Sequence, residues 1–139
     1  MLEHLCIEKR PIYITINLLM AYINRSSVYI SLAEYNKAIK DLDQCISTGE
    51  QFSDERELVF VDALAKAYMN RGVSYYKLNK PEKALPDNNK SVEIIEQLYK
   101  EGKLYDDNDL PMVYMNRSCT YGALNKYDEA NIDLNKGNL

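Results

Sequence analysis

Asn24, Asn70 and Asn116 stand 46 residues apart, and each is followed at once by an arginine: Arg25, Arg71 and Arg117. Asp41, Asp87 and Asp133 lie sixteen residues beyond those arginines. Two chemistries suit these residue types. A carboxamide carries donors and an acceptor together, so a row of three can read the backbone of an extended peptide without demanding a side-chain sequence. An arginine stem packed on one helix, with its guanidinium paired to a carboxylate on the next, makes a structural ion pair in each copy. Neither is catalysis.

Helical spacing around the asparagines gathers further candidates for a peptide-binding face. Met20, Ile23, Ser27 and Ile30 join Asn24. Lys66, Met69, Val73 and Tyr76 join Asn70, and Met112, Met115 and Cys119 join Asn116. Such a face is apolar and methionine-rich with an amide spine. Methionine adapts to varied apolar partners, so a segment with hydrophobic anchors fits it better than an acidic tail. The competing reading is structural: the asparagines bond neighbouring helices, and the methionines are buried between them.

No catalytic set can be assembled. His4 is the single histidine, and Cys6, Cys45 and Cys119 have neither metal-ligand spacing nor the pairing of a disulfide framework. The acidic run 106–109 lacks the glycine and terminal glutamate of a calcium loop. No glycine loop suits a phosphate. Three Asn-X-Ser strings, at Asn24, Asn89 and Asn116, match the glycosylation sequon but sit in helical text. A net charge of -4, with both signs spread along the chain, argues against a nucleic-acid surface. The apolar run 12–23 is too short to span a bilayer. No enzyme activity, cofactor, metal or membrane contact is expected, and the default location is the cytosol.

The elements that position these columns follow from the period. Six before each asparagine stands Leu18, Leu64 or Leu110; eight after it stands Leu32, Leu78 or Leu124; fourteen after it stands Ala38, Ala84 or Ala130. A fixed repeat of this size is the mark of a solenoid. The apolar spacing predicts helices over 12–33, 36–50, 55–78, 81–100, about 111–124, and from 127 onward. Leu18, Tyr22, Ser26, Tyr29 and Leu32 share one face of the first, and Ala38, Leu42, Cys45 and Ile46 point inward from the second. Pro11 and Pro81 suit first helical positions. Ser53 or Asp54, and Asn108 or Asp109, are candidate caps, and Gly102 is a stop. Pro86 inside the fourth helix implies a late start or a kink. Small residues at Ser26, Gly72 and Ser118, and at Ala38, Ala84 and Ala130, allow close helix crossings.

The fold expected is all-α, an α-α superhelix of three antiparallel hairpins. Residues 1–11 read as a leader or the remnant of a preceding helix. Residues 12–139 read as one domain, with repeats 12–51, 52–102 and 103–139. The last repeat is degraded, because Asn131, Gly137 and Asn138 replace Ile39, Cys45 and Ile46 of the first.

An aromatic, a small residue four later, a tyrosine three later and an alanine nine later recur in register, as in Tyr22, Ser26, Tyr29 and Ala38. This pattern resembles the tetratricopeptide repeat family across nearly the whole chain. The family's common repeat is about 34 residues, so the nearer comparison is its long-repeat variety, as in kinesin light chains. Arginine stands where the family more often has leucine. The resemblance implies a protein-interaction module whose first helices line a concave groove. Asn24, Asn70 and Asn116 are similar to the asparagine ladder in the repeat domain of O-linked N-acetylglucosamine transferase. The dicarboxylate clamp of chaperone-binding relatives is a poorer match: only Lys66 and Lys77 are basic on that face, where the other repeats place Met20, Met112, Ser31 and Ala123.

The function expected is a scaffold or adaptor that binds a peptide segment of a protein partner in that groove. The alternative is a structural protein that stacks through uncapped ends, including a homodimer through the C-terminal hairpin.

Overall fold

Apolar side chains recurring at helical spacing can be buried only if each helix finds a partner for its stripe. In a computed structural model of the protein, which describes residues 12–51 and 58–138, six helices do this. They are α1 (Ile12–Ser31), α2 (Tyr35–Gln51), α3 (Leu58–Lys77), α4 (Pro81–Lys100), α5 (Asp109–Ala123) and α6 (Tyr127–Gly137). No strand occurs among the described residues. The expected leader, Pro11 and the caps Ser53 and Asp54 lie outside those residues.

Each odd-numbered helix packs on the even-numbered helix that follows, giving three hairpins. Successive hairpins join through α2 on α3 and α4 on α5, and α1, α3 and α5 also touch in sequence. The fold is an all-α solenoid of the expected kind.

The hairpin turns share one backbone device. Ala33, Asn79 and Asn125 have φ of 57°, 58° and 60°. The next residue's N–H, at Glu34, Lys80 and Lys126, donates to the carbonyl five back, at Tyr29, Tyr75 and Tyr121 (2.8, 2.9 and 2.8 Å). This is the Schellman arrangement, which satisfies helix-end carbonyls and needs a left-handed residue. Gly102, φ 68°, ends α4 the same way, with Lys103 N donating to Leu98 O at 2.9 Å.

Two adjoining cores share α3. One gathers Leu19, Ile23, Leu42, Cys45, Phe60 and Leu64; the other gathers Met69, Val92, Ile95, Leu98, Val113 and Tyr114. The small-residue positions are buried at every crossing. Gly72 is the tightest: a Cβ there would sit 2.7 Å from Asn88 Nδ2 and 3.6 Å from the Ala84 carbonyl oxygen.

Several expectations change. Leu18 and Leu32 are 38% and 63% exposed, and Leu19 and Ile23 take the core places of α1. The reason is neighbour packing. Leu64, equivalent to Leu18, is covered by α2, where a Cβ on Gly49 would meet Leu64 Cδ2 at 2.8 Å. No described hairpin precedes α1 to cover Leu18. The helix holding Pro86 starts at Pro81, not late. Asn108 precedes α5 without a side-chain cap bond, and its own N–H donates to Asp106 Oδ1 at 2.9 Å. The third hairpin is fully made despite its polar substitutions: α6 packs on α5, with Gly137 against Pro111 and Tyr114.

Candidate functional site

The ion-pair columns follow from hairpin geometry, which places residues sixteen apart on facing turns. Arg25 donates to both Asp41 oxygens at 2.8 and 2.6 Å. Arg71 donates to Asp87 at 2.8 and 2.8 Å, and Arg117 to Asp133 at 2.7 and 2.8 Å. All three are two-point contacts, the strongest geometry for this pair. The carboxylates are buried, while the arginine side chains range from 58% exposed at Arg25 to 15% at Arg117. The guanidinium carbons of Arg25 and Arg117 also stand 5.9 and 5.7 Å from the rings of Tyr29 and Tyr121, and Arg71 stands 5.7 Å from Tyr68. Burial pushes the Asp87 carboxyl up, against the pull of Arg71, whose own pKa is raised by that bond.

Two further partners escaped the sequence reading. The third nitrogen of Arg71 donates to Asp43 at 2.9 Å, and that of Arg117 donates to Asn89 at 3.3 Å. Asp43 and Asn89 are 46 residues apart and belong to the preceding hairpin in each case. Their common spacing was the available signal. Tyr68 also joins two hairpins by donating to Glu50, and burial, with Glu96 nearby, pushes Tyr114 up to about 12.

The three asparagines have three different surroundings. Asn24 is exposed. Asn70 Nδ2 donates to Ser26 Oγ at 3.3 Å and Ser27 Oγ at 3.2 Å, so it ties α3 to α1. Asn116 is half-buried and lines a cavity of about 180 Å³ with Val73, Tyr76 and Cys119.

The apolar candidates divide. Ile23 and Met69 are each 5% exposed and belong to the core, so the surface lining loses them. Their cores take in helices of their own hairpin and of the following one, a stacking that single-helix spacing does not resolve. Met20 is half-buried against the first core. Lys66 pairs with Asp62 at 3.4 Å. Val73 and Tyr76 are half-buried at the cavity, and Met112 and Met115 are exposed at 47% and 55%.

Reactive chemistry is sparse. Cys45 is buried and its thiol is pushed up to about 12, which keeps it from being a nucleophile. Cys119 is an exposed free thiol. Among the described residues, no group of three or more His, Cys, Asp or Glu side chains is placed to hold a metal ion. No helix there is long and apolar enough to cross a membrane.

Comparison with known proteins agrees with the repeat geometry. Two family models, each described as a tetratricopeptide repeat, match residues 21–48 and 65–105. No curated protein and no solved structure matches the chain. The first match spans most of the α1–α2 hairpin, and the second covers α4 with most of α3. With the hairpin stacking and the recurring small-residue crossings, these matches place the chain in the tetratricopeptide repeat family.

Proposed function

We propose that the face shared by α1, α3 and α5 binds a peptide segment of a protein partner, and that the protein is a scaffold or adaptor without catalysis. Tetratricopeptide repeats are in general protein–protein interaction modules. The observation that carries the finer reading is the pair Met112 and Met115, exposed at 47% and 55% beside Asn116. Exposed methionines beside a carboxamide offer adaptable apolar contact and a backbone-reading group together. The lining then comprises Asn24, Asn70, Asn116, Met20, Lys66, Val73, Tyr76, Met112 and Met115. The partner is a protein rather than a nucleic acid, given the net charge of -4, and the setting is the cytosol.

A displayed peptide library tests this. Selected peptides carrying apolar anchors should bind the wild type and lose at least tenfold in affinity to the Met112→Ala/Met115→Ala variant. Equal binding to both proteins would remove the face from consideration.

A second reading rests on α6, where Tyr127, Ile132 and Leu134 are 62%, 55% and 45% exposed. These suit self-association through the C-terminal hairpin. Light scattering across a concentration series decides: a constant monomer mass leaves the peptide-binding face, and a concentration-dependent dimer favours α6.

A further inference from the structure

The internal junctions define which face a hairpin offers to the one before it. Among the described residues, α5 has a hairpin before it and none after, and α1 has the reverse. Equivalent residues of these two helices therefore isolate what a preceding hairpin covers. Thr120 is 0% exposed, while its equivalent Val28 is 56% exposed. Val113 is buried, while its equivalent Ala21 is exposed, and Leu32 is exposed where Leu124 is half-buried. Leu18, Ala21, Arg25, Val28 and Leu32 are three or four residues apart, so they form one stripe along α1.

The polar groups at this stripe lack the partners that their equivalents hold. Arg71 and Arg117 each give a third nitrogen to the preceding hairpin, at Asp43 and Asn89. Arg25 gives two nitrogens to Asp41, and its Nη1 has no acceptor among the described residues. Asn70 donates to Ser26 and Ser27 of the preceding hairpin, whereas Asn24 is exposed.

The other end of the solenoid displays the matching parts. Asn135, exposed on α6, is the equivalent of Asp43 and Asn89. Leu134, 45% exposed, is the equivalent of Leu42, which is fully buried in the core that α2 shares with α3. Ser118 on α5 is the equivalent of Ser26. Both hydroxyls donate to the carbonyl three residues back, Met115 and Ile23, at 2.7 Å. Ser118 Oγ is therefore oriented to accept from an asparagine as Ser26 Oγ does.

We infer that a second copy of this chain docks its α5–α6 hairpin on the α1 stripe, in the register of the internal junctions. Arg25 then donates to Asn135 of the second copy, as Arg117 does to Asn89. Asn24 donates to Ser118 of the second copy, as Asn70 does to Ser26. Leu134 of the second copy is covered by α1, as α3 covers Leu42. The inference rests on the second reading above, self-association through the C-terminal hairpin, and names the surface that α6 meets. Because the two surfaces differ, each added copy leaves one of each kind free. Growth continues past two copies until a ring closes.

Two variants block one surface each. Val28→Glu puts a charge into the α1 stripe, and Asn135→Lys sets a cation against Arg25. Both residues are exposed, so the fold should survive, which circular dichroism checks. Light scattering up to millimolar protein should show the wild-type mass rising past the dimer and each variant alone as a monomer. Mixed one to one, the variants should form a dimer that grows no further, because each keeps the surface the other lacks. Asn135→Asp copies Asp43 and should tighten assembly by about threefold, although it adds negative charge to a chain of net charge -4.

A wild-type mass that stops at two, with Val28→Glu still dimeric alone, overturns the inference and leaves a symmetric α6 contact, so the second reading stands. A wild-type monomer at every concentration overturns both. A mixture of the two variants that stays monomeric overturns the head-to-tail contact. Unchanged or weaker assembly of Asn135→Asp overturns the register that pairs it with Arg25.

Discussion

Arg71 donates to Asp43 across the boundary between two hairpins at 2.9 Å, while its other two nitrogens hold Asp87 within its own hairpin. One guanidinium therefore links α2, α3 and α4. The same fork recurs at Arg117, with the neutral Asn89 in place of Asp43. Arginine suits this task because its planar donors have fixed directions and its charge is permanent.

The two partners of Arg71 should matter unequally. Asp87 is buried, so Asp87→Ala leaves two nitrogens of a half-buried guanidinium without an acceptor, with only the exposed Asp43 remaining, and should cost about 3 kcal/mol. Asp43 is 52% exposed, and Asp43→Ala should cost less than about 1 kcal/mol. Thermal unfolding of both variants checks this, and an unchanged melting temperature for Asp87→Ala would refute the staple.

Asp109 makes stability depend on pH. Burial pushes its carboxyl above the ordinary 3.8, with Lys66 opposing and Asp106 and Asp62 reinforcing. Its Oδ2 is buried without a partner. A raised folded-state pKa means the folded chain holds this proton more firmly than the unfolded chain. The contribution to stability is present below the unfolded value and is lost as pH rises through the folded one. Asp109→Asn should therefore raise stability at pH 7 by about 1 kcal/mol. The gain should shrink toward pH 3.8, as paired melting curves across that range would show.

Ala33 carries a backbone cost that its equivalents avoid. Its φ of 57° is a left-handed conformation, unfavourable for a residue with a Cβ by roughly 1–2 kcal/mol. Asparagine stands at the two equivalent places, Asn79 and Asn125, and tolerates that region better. Ala33→Gly or Ala33→Asn should stabilise by about 1 kcal/mol. The opposite change, Asn79→Ala, should destabilise by a similar amount. Denaturant midpoints measure both.

Thiol accessibility separates Cys45 from Cys119. In a Cys6→Ser background, one thiol should react readily with a disulfide reagent in the native state. That thiol is the exposed Cys119; Cys45, buried and with a raised pKa, should react only on unfolding. Two fast thiols would show that the first core opens under native conditions.

The ion-pair columns were legible in the sequence. The Arg and Asp columns could be paired because a hairpin with a short turn brings residues sixteen apart onto facing turns, and the interval recurs three times. The fates of Ile23 and Met69 were not legible. A helical wheel shows which residues share a stripe, but the edge of the stripe that turns inward depends on the angle at which the next helix crosses. Asn70 and Asn116 look identical in sequence. Only the residues they meet on the neighbouring hairpin, Ser26 and Ser27 in one case and Gly72 and Val73 in the other, make one a tie and the other a cavity wall.

The sequence by itself determined the repeat, the helices to within a few residues, the small-residue crossings and the pairing inside each hairpin. All of these are periodic or local, set by side chains a few turns apart on one chain segment. The tertiary structure decided what lies between hairpins: the burial of Leu64 and exposure of Leu18, the reach of Arg71 to Asp43, and the unpartnered oxygen of Asn88. Those depend on which surfaces stack, and stacking is chosen by the fit of whole helices, which no single spacing encodes.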